Sequence, residues 1–307
     1  MNRFRLSIPA SSANIGPGFD STGLALNRYL TLQVEEHEKW EIQHHSPFLP
    51  SFTNYEDHFI YQIAKQIAKR HNQSLPMCKI KIGSAIPLAR GLGSSASAVI
   101  AGIELANQLC NLSLSTEQKL QYGSDFEGHP DNVAAVLFGG FVITGTTLDN
   151  EINYFQIPAL DLDIVVYIPK VELKTEEARS VLPANFSRKD ATIASGTSNL
   201  MIASLLSGDY ELAGKMMERD LFHEPYRAKL IPNYDDIKRD AKQLGAYGTV
   251  ISGAGPTMIS FVPQGEGNDV ATQMGNLLPN HQVEALEIDN KGLEVMQNPE
   301  SINTATE

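Results

Sequence analysis

The sequence has little cysteine and little positive charge. Two cysteines, Cys78 and Cys110, occur in 307 residues, too few for a disulfide framework and without the spacing of a metal site. Lysine and arginine number 24 against 36 aspartates and glutamates, so the formal net charge is −12. Proteins that bind a nucleic-acid backbone need clustered basic residues, so this balance argues against that class. It leaves room for a small phosphorylated ligand.

Long hydrophobic runs are also missing. The longest uncharged run, residues 244–265, contains Gly248, Gly253, Gly255 and Pro256. These residues favour a strand, a loop and a second strand over a membrane helix. The first residues lack the apolar core of a secretory signal. We therefore expect a cytoplasmic protein with neither a membrane nor a nucleic-acid partner.

The composition and the order of patterns predict the fold class. Hydrophobic residues make up 42% and charged residues 20%, which is typical of a folded protein, and the length suggests two domains. Strand and helix patterns alternate without the βαβ repeat of a doubly wound sheet, so we predict the α+β class. The segment 148–157 is polar and rich in turn residues. It marks a boundary between domains 1–150 and 151–307.

The first candidate site is a small-residue loop that leads directly into an apolar helix. Its glycines permit close backbone approach, and free N–H groups at a helix N-terminus bind anions. The pattern therefore predicts a phosphate site, although a strand-to-helix turn with serine caps and no ligand explains the same residues. The loop consists of Pro87, Leu88, Ala89, Arg90, Gly91, Leu92, Gly93, Ser94, Ser95, Ala96 and Ser97.

Two other phosphate loops can be compared with this segment. A Walker loop ends in Gly-Lys-Ser/Thr, and no lysine is present here. Residues 91–96 match the dinucleotide pattern G-x-G-x-x-A, but Pro87 and Arg90 stand between the strand and the first glycine. The next acidic candidate, Glu117, opens a helix, whereas a ribose-binding acid should end a strand. The dinucleotide interpretation is therefore the weaker one.

Two further segments carry candidate ligands. Residues 125–132, Asp-Phe-Glu-Gly-His-Pro-Asp-Asn, fail the pattern of a calcium loop because proline occupies the sixth position. Glu127 is suited to assist in binding a Mg²⁺ ion that phosphates already hold. The alternative interpretation is that residues 125–132 form a solvated polar loop at the start of a helix and bind nothing. Residues 252–257, Ser-Gly-Ala-Gly-Pro-Thr, allow backbone to approach a ligand, or form a tight turn between strands.

Three motifs across residues 9–257 resemble those of the GHMP kinase superfamily and occur in the same order: an N-terminal polar segment, the phosphate loop P-x-x-x-G-L-G-S-S-A at residues 87–96, and the C-terminal glycine loop. Within the superfamily the chain resembles the homoserine kinases. The resemblance implies a two-domain GHMP kinase-like fold, with an N-terminal ribosomal-protein-S5-like ATP-binding domain and a C-terminal ferredoxin-like α/β sandwich domain. The segments that carry the closer resemblance are Ser12–Asp20, Glu127–Val133, Lys174–Arg179, Pro225–Arg227 and Ser252–Pro256.

The resemblance also implies a reaction with ATP and Mg²⁺. The γ-phosphoryl group would pass to the side-chain hydroxyl of L-homoserine, giving O-phospho-L-homoserine for threonine biosynthesis. Residues 87–97 would wrap the triphosphate, and Ser95 and Glu127 would hold Mg²⁺. The implied catalytic residues are Glu127, Ser95, Thr175 and Arg179. The implied substrate residues are Asn14, Asp20, His129, Asn132, Arg179, Arg227 and Gly255.

The charges of the implied pocket residues match those of homoserine, because an aspartate suits its ammonium group and a planar arginine suits its carboxylate. The resemblance further implies a homodimer. Some members of the superfamily use an aspartate as general base, and the resemblance implies that Asn132 occupies the corresponding position here. We therefore expect no essential base, since phosphoryl transfer has a loose transition state. The alternatives are a kinase of this fold for another alcohol, a non-catalytic ligand-binding regulator, and an oxidoreductase on the dinucleotide interpretation.

Overall fold

The structure, a computed structural model, describes residues 3–157 and 159–298. The described residues form eleven strands: β1 (Arg3–Ala13), β2 (Thr22–Glu36), β3 (Glu41–His44), β4 (Cys78–Ser84), β5 (Phe141–Thr146), β6 (Ile152–Ile157), β7 (Leu162–Pro169), β8 (Gly248–Ile251), β9 (Met258–Pro263), β10 (His281–Leu286) and β11 (Glu294–Gln297). They also form ten α-helices: α1 (Phe59–Arg70), α2 (Ser94–Cys110), α3 (Thr116–Glu127), α4 (Asp131–Phe138), α5 (Thr175–Ser180), α6 (Arg188–Ser207), α7 (Tyr210–Met217), α8 (Glu224–Arg227), α9 (Tyr234–Gln243) and α10 (Gly267–Leu277).

The strands form two sheets. The larger sheet has the order β11-β1-β2-β4-β3, and β5 pairs with the start of β2 and then with β6. β2 can pair with both β4 and β5 because its 15 residues are long enough for β5 to use residues 22–24 and β4 to use residues 30–36. The smaller sheet is antiparallel throughout, in the order β10-β7-β9-β8.

Local sequence explains the helices that matter for the site. α2 has apolar and small residues on every side, and most of its length is buried, as expected of a helix inside the core. α3 begins at a capping box, in which Ser115 and Gln118 satisfy each other's backbone N–H groups. It ends at Gly128 in the left-handed conformation, and α4 follows after Pro130. These two helix ends bring residues 127–132 to one place.

The two domains share a core. Apolar residues of the larger sheet, of α1, α2 and α4, and of one face of the smaller sheet pack into a single cluster. The other face of the smaller sheet packs against α9 and α10 in a second cluster. Because the smaller sheet is buried on both faces, its strands are almost wholly apolar, as in β7 and β9.

The structure confirms the α+β class, and residues 244–265 form β8, a loop and β9 as expected. The prediction of a turn-rich segment at 148–157 was wrong, because β6 occupies residues 152–157. β6 pairs with β5 on one side, and half of its six residues are exposed, so its polar residues reflect an edge strand rather than a linker. The domain boundary between residues 150 and 151 stays a prediction. Among the described helices, none is long and apolar enough to cross a membrane.

Candidate active site

The loop of residues 87–97, here called the phosphate loop, connects β4 to α2. Its last glycine, Gly93, is the left-handed cap residue of α2. The backbone N–H groups of residues 91–96 donate to no described residue. Free N–H groups that converge at the start of a 17-residue helix form a strong anion site, and the helix dipole adds to it.

Two glycines are required because this loop packs tightly against its neighbours. A side chain at Gly91 would overlap the carbonyl oxygen of Ser252, and one at Gly93 would overlap the hydroxyl of Ser11. Both residues also have positive φ values, 75° and 67°. The loop can therefore keep this shape only with glycine at both positions.

The loop of residues 252–257, here called the glycine loop, lies directly against the phosphate loop. The buried Ser252 hydroxyl lies 2.6 Å from the carbonyl oxygen of Gly91 and 2.8 Å from the hydroxyl of Ser12. Gly253 donates its N–H to the carbonyl oxygen of Ala13. The three sequence motifs therefore meet at one point, where β1, the phosphate loop and the glycine loop contact one another.

Glu127, the last residue of α3, reaches the start of α2. Its Oε1 accepts a hydrogen bond of 2.6 Å from the hydroxyl of Ser95. Burial raises the pKa of Glu127, while the Ser95 hydrogen bond opposes that shift. The predicted metal ligands Ser95 and Glu127 are therefore adjacent, with oxygen donors of the kind that Mg²⁺ prefers. Among the described residues, no group of three or more His, Cys, Asp or Glu side chains could hold a metal.

His129 and Asp131 form a second pair beside Glu127. Nδ1 of His129 lies 2.6 Å from Oδ1 of Asp131, whose side chain is 1% exposed. Burial opposes the charged imidazole, but the hydrogen bond and negative charge of Asp131 outweigh it and raise the pKa of His129. Asn132, next along α4, accepts a hydrogen bond of 2.8 Å from Ser11. Its amide oxygen is therefore tied to β1.

Asp20 and Arg179 face each other across the cleft. The guanidinium of Arg179 donates to both carboxylate oxygens of Asp20, at 2.7 and 3.2 Å. The backbone N–H of Asp20 donates to the side-chain oxygen of Asn14, and Nδ2 of Asn14 donates to the carbonyl oxygen of Gly253. Asn14 therefore positions both the turn that carries Asp20 and the glycine loop.

Arg227, on α8, is 1% exposed and forms no ion pair with any described acidic residue. Its Nε donates to the carbonyl oxygen of Ala178 and its Nη1 to that of Gly253, both at 3.1 Å. Nη2 donates to no described residue. Burial and the nearby charge of Arg179 lower the pKa of Arg227 to about 10. A buried cation without a carboxylate partner is costly, so this arginine is suited to an anionic ligand group.

These residues line one cleft of about 710 Å³ between the two domains. Of the predicted site residues, the cleft brings together Asn14, Asp20, Ala89, Arg90, Gly91, Gly93, Ser94, Ser95, Glu127, His129, Asn132, Thr175, Arg179, Arg227 and Gly255. It does not include Pro87, Leu88, Leu92, Ala96 or Ser97.

Two phosphate-loop side chains have structural contacts. Ser97 is fully buried, and its hydroxyl donates to the carbonyl oxygen of Pro9 at 2.8 Å. Arg90 borders the cleft, but its guanidinium donates to the carbonyl oxygens of Leu88, Pro169 and Lys170. Arg90 thereby fastens the phosphate loop to the end of β7 in the second domain.

A smaller pocket of about 290 Å³ adjoins the phosphate loop. Ser94 and Ser95 line both this pocket and the cleft, and the other lining residues are largely apolar, among them Leu49, Phe52 and Ile60. His58 also lines it, with Nε2 lying 2.9 Å from Nε2 of His44. The two cavities together could accommodate a ligand with an apolar part and an anionic part.

Several residues at the site were given no role from the sequence, although Ser12, Phe19 and Ser252 lie in segments that carry the family resemblance. Ser11, Ser12 and Ser252 join the motifs through buried hydroxyls, and Phe19 lies against two arginines, 5.7 Å from Arg179 and 5.4 Å from Arg227. Serines are too common for their contacts to be inferred from one sequence. Phe19 carried a signal, because a large aromatic residue between Gly18 and Asp20 is unusual in a polar turn.

Known proteins match this chain over most of its length. Family models match the chain at residues 58–140 (GHMP kinases N terminal domain) and 201–280 (GHMP kinases C terminal). A curated relative from Oceanobacillus iheyensis, named homoserine kinase, is 53% identical over 97% of this chain and 100% of its own length. The chain belongs to the homoserine kinase family of GHMP kinases.

Solved structures give the same result for the fold. A homoserine kinase from Cytophaga hutchinsonii is 26% identical, with a TM-score of 0.81 over 96% of this chain and 98% of that one. A mevalonate kinase is 19% identical, with a TM-score of 0.68 over 94% of this chain and 99% of that one, which shows the fold alone. The two-domain GHMP kinase fold implied by the sequence motifs is therefore confirmed.

Proposed function

We propose that this enzyme transfers the γ-phosphoryl group of ATP to the side-chain hydroxyl of L-homoserine, as a cytoplasmic step toward threonine. The observation that carries the proposal is the cleft itself. It combines the free N–H groups of Gly91, Gly93, Ser94 and Ser95 with a buried Arg227 that has no carboxylate partner among the described residues, and with the ion pair of Asp20 and Arg179. An anion site and a pocket for a zwitterion thus lie in one cavity.

The phosphate loop would bind the triphosphate through its backbone. Free N–H groups and the α2 dipole favour negative charge, and the glycines let phosphate oxygens approach closely. The adjoining 290 Å³ pocket would hold the base, because it is largely apolar and shares Ser94 and Ser95 with the cleft. Both parts of ATP then have a site of matching polarity.

The residues present also fit Mg²⁺. The Ser95 hydroxyl and the Glu127 carboxylate lie 2.6 Å apart, and two protein oxygens suffice for an ion that is otherwise held by phosphates and water. When bound, Mg²⁺ supplies charge neutralisation of the phosphate oxygens. Glu127 must be ionised to act as a ligand, although burial raises its pKa. Ser95 orients that carboxylate through its hydroxyl.

The acceptor pocket suits a small zwitterion. Asp20 and Arg179 neutralise each other, so an ammonium and a carboxylate can enter between them without changing the net charge. Nη2 of Arg227 has two N–H groups available for the carboxylate. The side-chain hydroxyl would then extend toward Thr175, at the start of α5 on the cleft wall.

We further propose that no residue serves as an essential base. Asn132 cannot accept a proton at neutral pH. The Asp131 carboxylate is buried, and it is hydrogen-bonded to His129 and to the backbone N–H of Asn132. Alignment of the two substrates and neutralisation of phosphate charge can carry a loose transition state. The Asp131→Asn variant tests this point, because a complete loss of turnover with intact binding of both substrates would contradict it.

An acceptor panel tests the proposed function. ADP release from Mg·ATP is measured with L-homoserine, mevalonate, galactose, shikimate and L-serine in parallel. We expect turnover with L-homoserine alone. Turnover with another alcohol would keep the phosphate site but refute the amino-acid pocket, and ATP binding without any turnover would favour a regulatory protein. The implied homodimer and the domain limits at residues 150 and 151 stay predictions.

A further inference from the structure

His223 lies behind the wall of the cleft and contacts residues that form it. The side chain is fully buried at the start of α8. Its Nε2 lies 2.9 Å from the carbonyl oxygen of Gly16 and 3.5 Å from a carboxylate oxygen of Asp220. Its Nδ1 lies 3.3 Å from Nη1 of Arg227. The ring therefore connects the N-terminal turn to the buried arginine.

These contacts determine which ring nitrogen carries the proton. Both neighbours of Nε2 are acceptors, the oxygens of Gly16 and Asp220, so Nε2 must donate. Arg227 has donors only, so Nδ1 must offer its lone pair. A neutral imidazole with its proton on Nε2 satisfies every contact. A proton on Nδ1 would point at the guanidinium and remove the bond to Arg227.

We infer that His223 is a positioning residue, which orients Arg227 for the carboxylate of the amino-acid acceptor. This inference rests on the proposed function. Nη1 of Arg227 donates one N–H group to Nδ1 of His223 and the other to the carbonyl oxygen of Gly253. The guanidinium plane is thereby fixed, and Nη2 remains available to a ligand.

Phe19 completes the arrangement. Its ring stacks on His223 with centroids 5.4 Å apart and an angle of 23°, and it lies 5.4 Å from the guanidinium carbon of Arg227. It also lies 5.7 Å from that of Arg179. The aromatic ring favours both cations, which lie close to each other despite their like charges. His223 and Phe19 together hold the two arginines side by side.

Two polar substitutions separate the two hydrogen bonds of His223. Asparagine places an amide oxygen near the position of Nδ1 and can accept from Arg227, whereas glutamine places an amide nitrogen near Nε2 and can donate to Gly16. We expect His223→Gln to raise the KM for L-homoserine about tenfold, and His223→Asn to stay within about threefold of wild type. The KM for ATP and kcat should change little in either variant.

Equal changes in the two variants, an unchanged KM for homoserine in His223→Gln, or a parallel loss in kcat and both KM values would overturn the inference. If either variant fails to fold, the wild-type enzyme still decides. Long-range ¹H–¹⁵N correlation of histidine-labelled protein should show His223 neutral and protonated on Nε2, with an Nδ1 shift that moves when L-homoserine is added. A proton on Nδ1 would refute the proposal that His223 accepts a hydrogen bond from Arg227 and orients it. Wild-type enzyme that does not turn over homoserine would instead refute the proposed function, and the ring proton would still report the contact with Arg227.

Discussion

Replacement of Arg227 by lysine should separate acceptor binding from phosphoryl transfer. The guanidinium donates from Nε to Ala178 and from Nη1 to Gly253, and it has Nη2 free for a ligand. A lysine ammonium places all its donors on one atom, so it cannot reach both carbonyls and also a carboxylate. The loss of one charge-assisted hydrogen bond amounts to about 1.5–3 kcal/mol. We therefore expect the KM for homoserine to rise about tenfold to a hundredfold.

The measurement is the initial rate of ADP release against homoserine concentration at saturating Mg·ATP. kcat should stay within a few-fold of wild type, because an interaction lost equally from the bound and transition states changes KM alone. Arg28→Lys is the control, since Arg28 is a partly buried arginine (11% of its side chain exposed) that is bonded to the Ala85 carbonyl and paired with Glu284, but it lies outside the cleft. An unchanged KM in Arg227→Lys, or an equal rise in the control, would refute the reasoning.

Three further predictions follow from the site and its surroundings. Glu127→Gln should lower kcat at least about a hundredfold, or ~2.7 kcal/mol, and a wild-type kcat would contradict the Mg²⁺ assignment. The Tm of this variant should be unchanged or higher, because a neutral amide replaces a carboxylate whose burial is unfavourable. Ser252→Ala should destabilise the fold by about 1–3 kcal/mol and raise the KM for ATP, since it removes two buried contacts, whereas Thr197→Ala on α6 should do neither; equal denaturation curves for the two variants would argue against the contact. Burial lowers the pKa of His58 to about 4, so the unfolded chain binds a proton that the folded protein does not as the pH falls from 6.5 toward 4. Between pH 7 and pH 5 the wild-type protein should lose about 2 kcal/mol more stability to denaturation than the His58→Gln variant, because only the wild type has this histidine.

The sequence predicted most of the fold because its signals were local. Helix α2 follows a glycine loop with a continuous apolar stretch, and α3 opens at a capping box, so both were found where the structure has them. β6 was missed because an exposed edge strand has polar residues and lacks the alternation of a half-buried strand. β11 was missed since its partner, β1, lies almost the whole chain away.

The candidate site was predicted as a set of residues, but its internal contacts were not. The family resemblance implied that Glu127 and Arg227 belong to one site, and both line the cleft. The resemblance could not show that Asp20 is already paired with Arg179, or that Arg90 is bound to carbonyl groups of the second domain. Those pairings depend on distances between segments more than 70 residues apart, which a single sequence does not encode in any local pattern.

The product of the reaction tests the central proposal most directly. The enzyme would be incubated with Mg·ATP and L-homoserine, and the mixture followed by ³¹P NMR against L-serine, which is one methylene shorter, as the parallel acceptor. The account predicts a phosphomonoester signal coupled to the terminal methylene of homoserine, one equivalent of ADP, and no such signal with serine. Equal phosphorylation of serine, or ATP hydrolysis without a phosphoester, would contradict it.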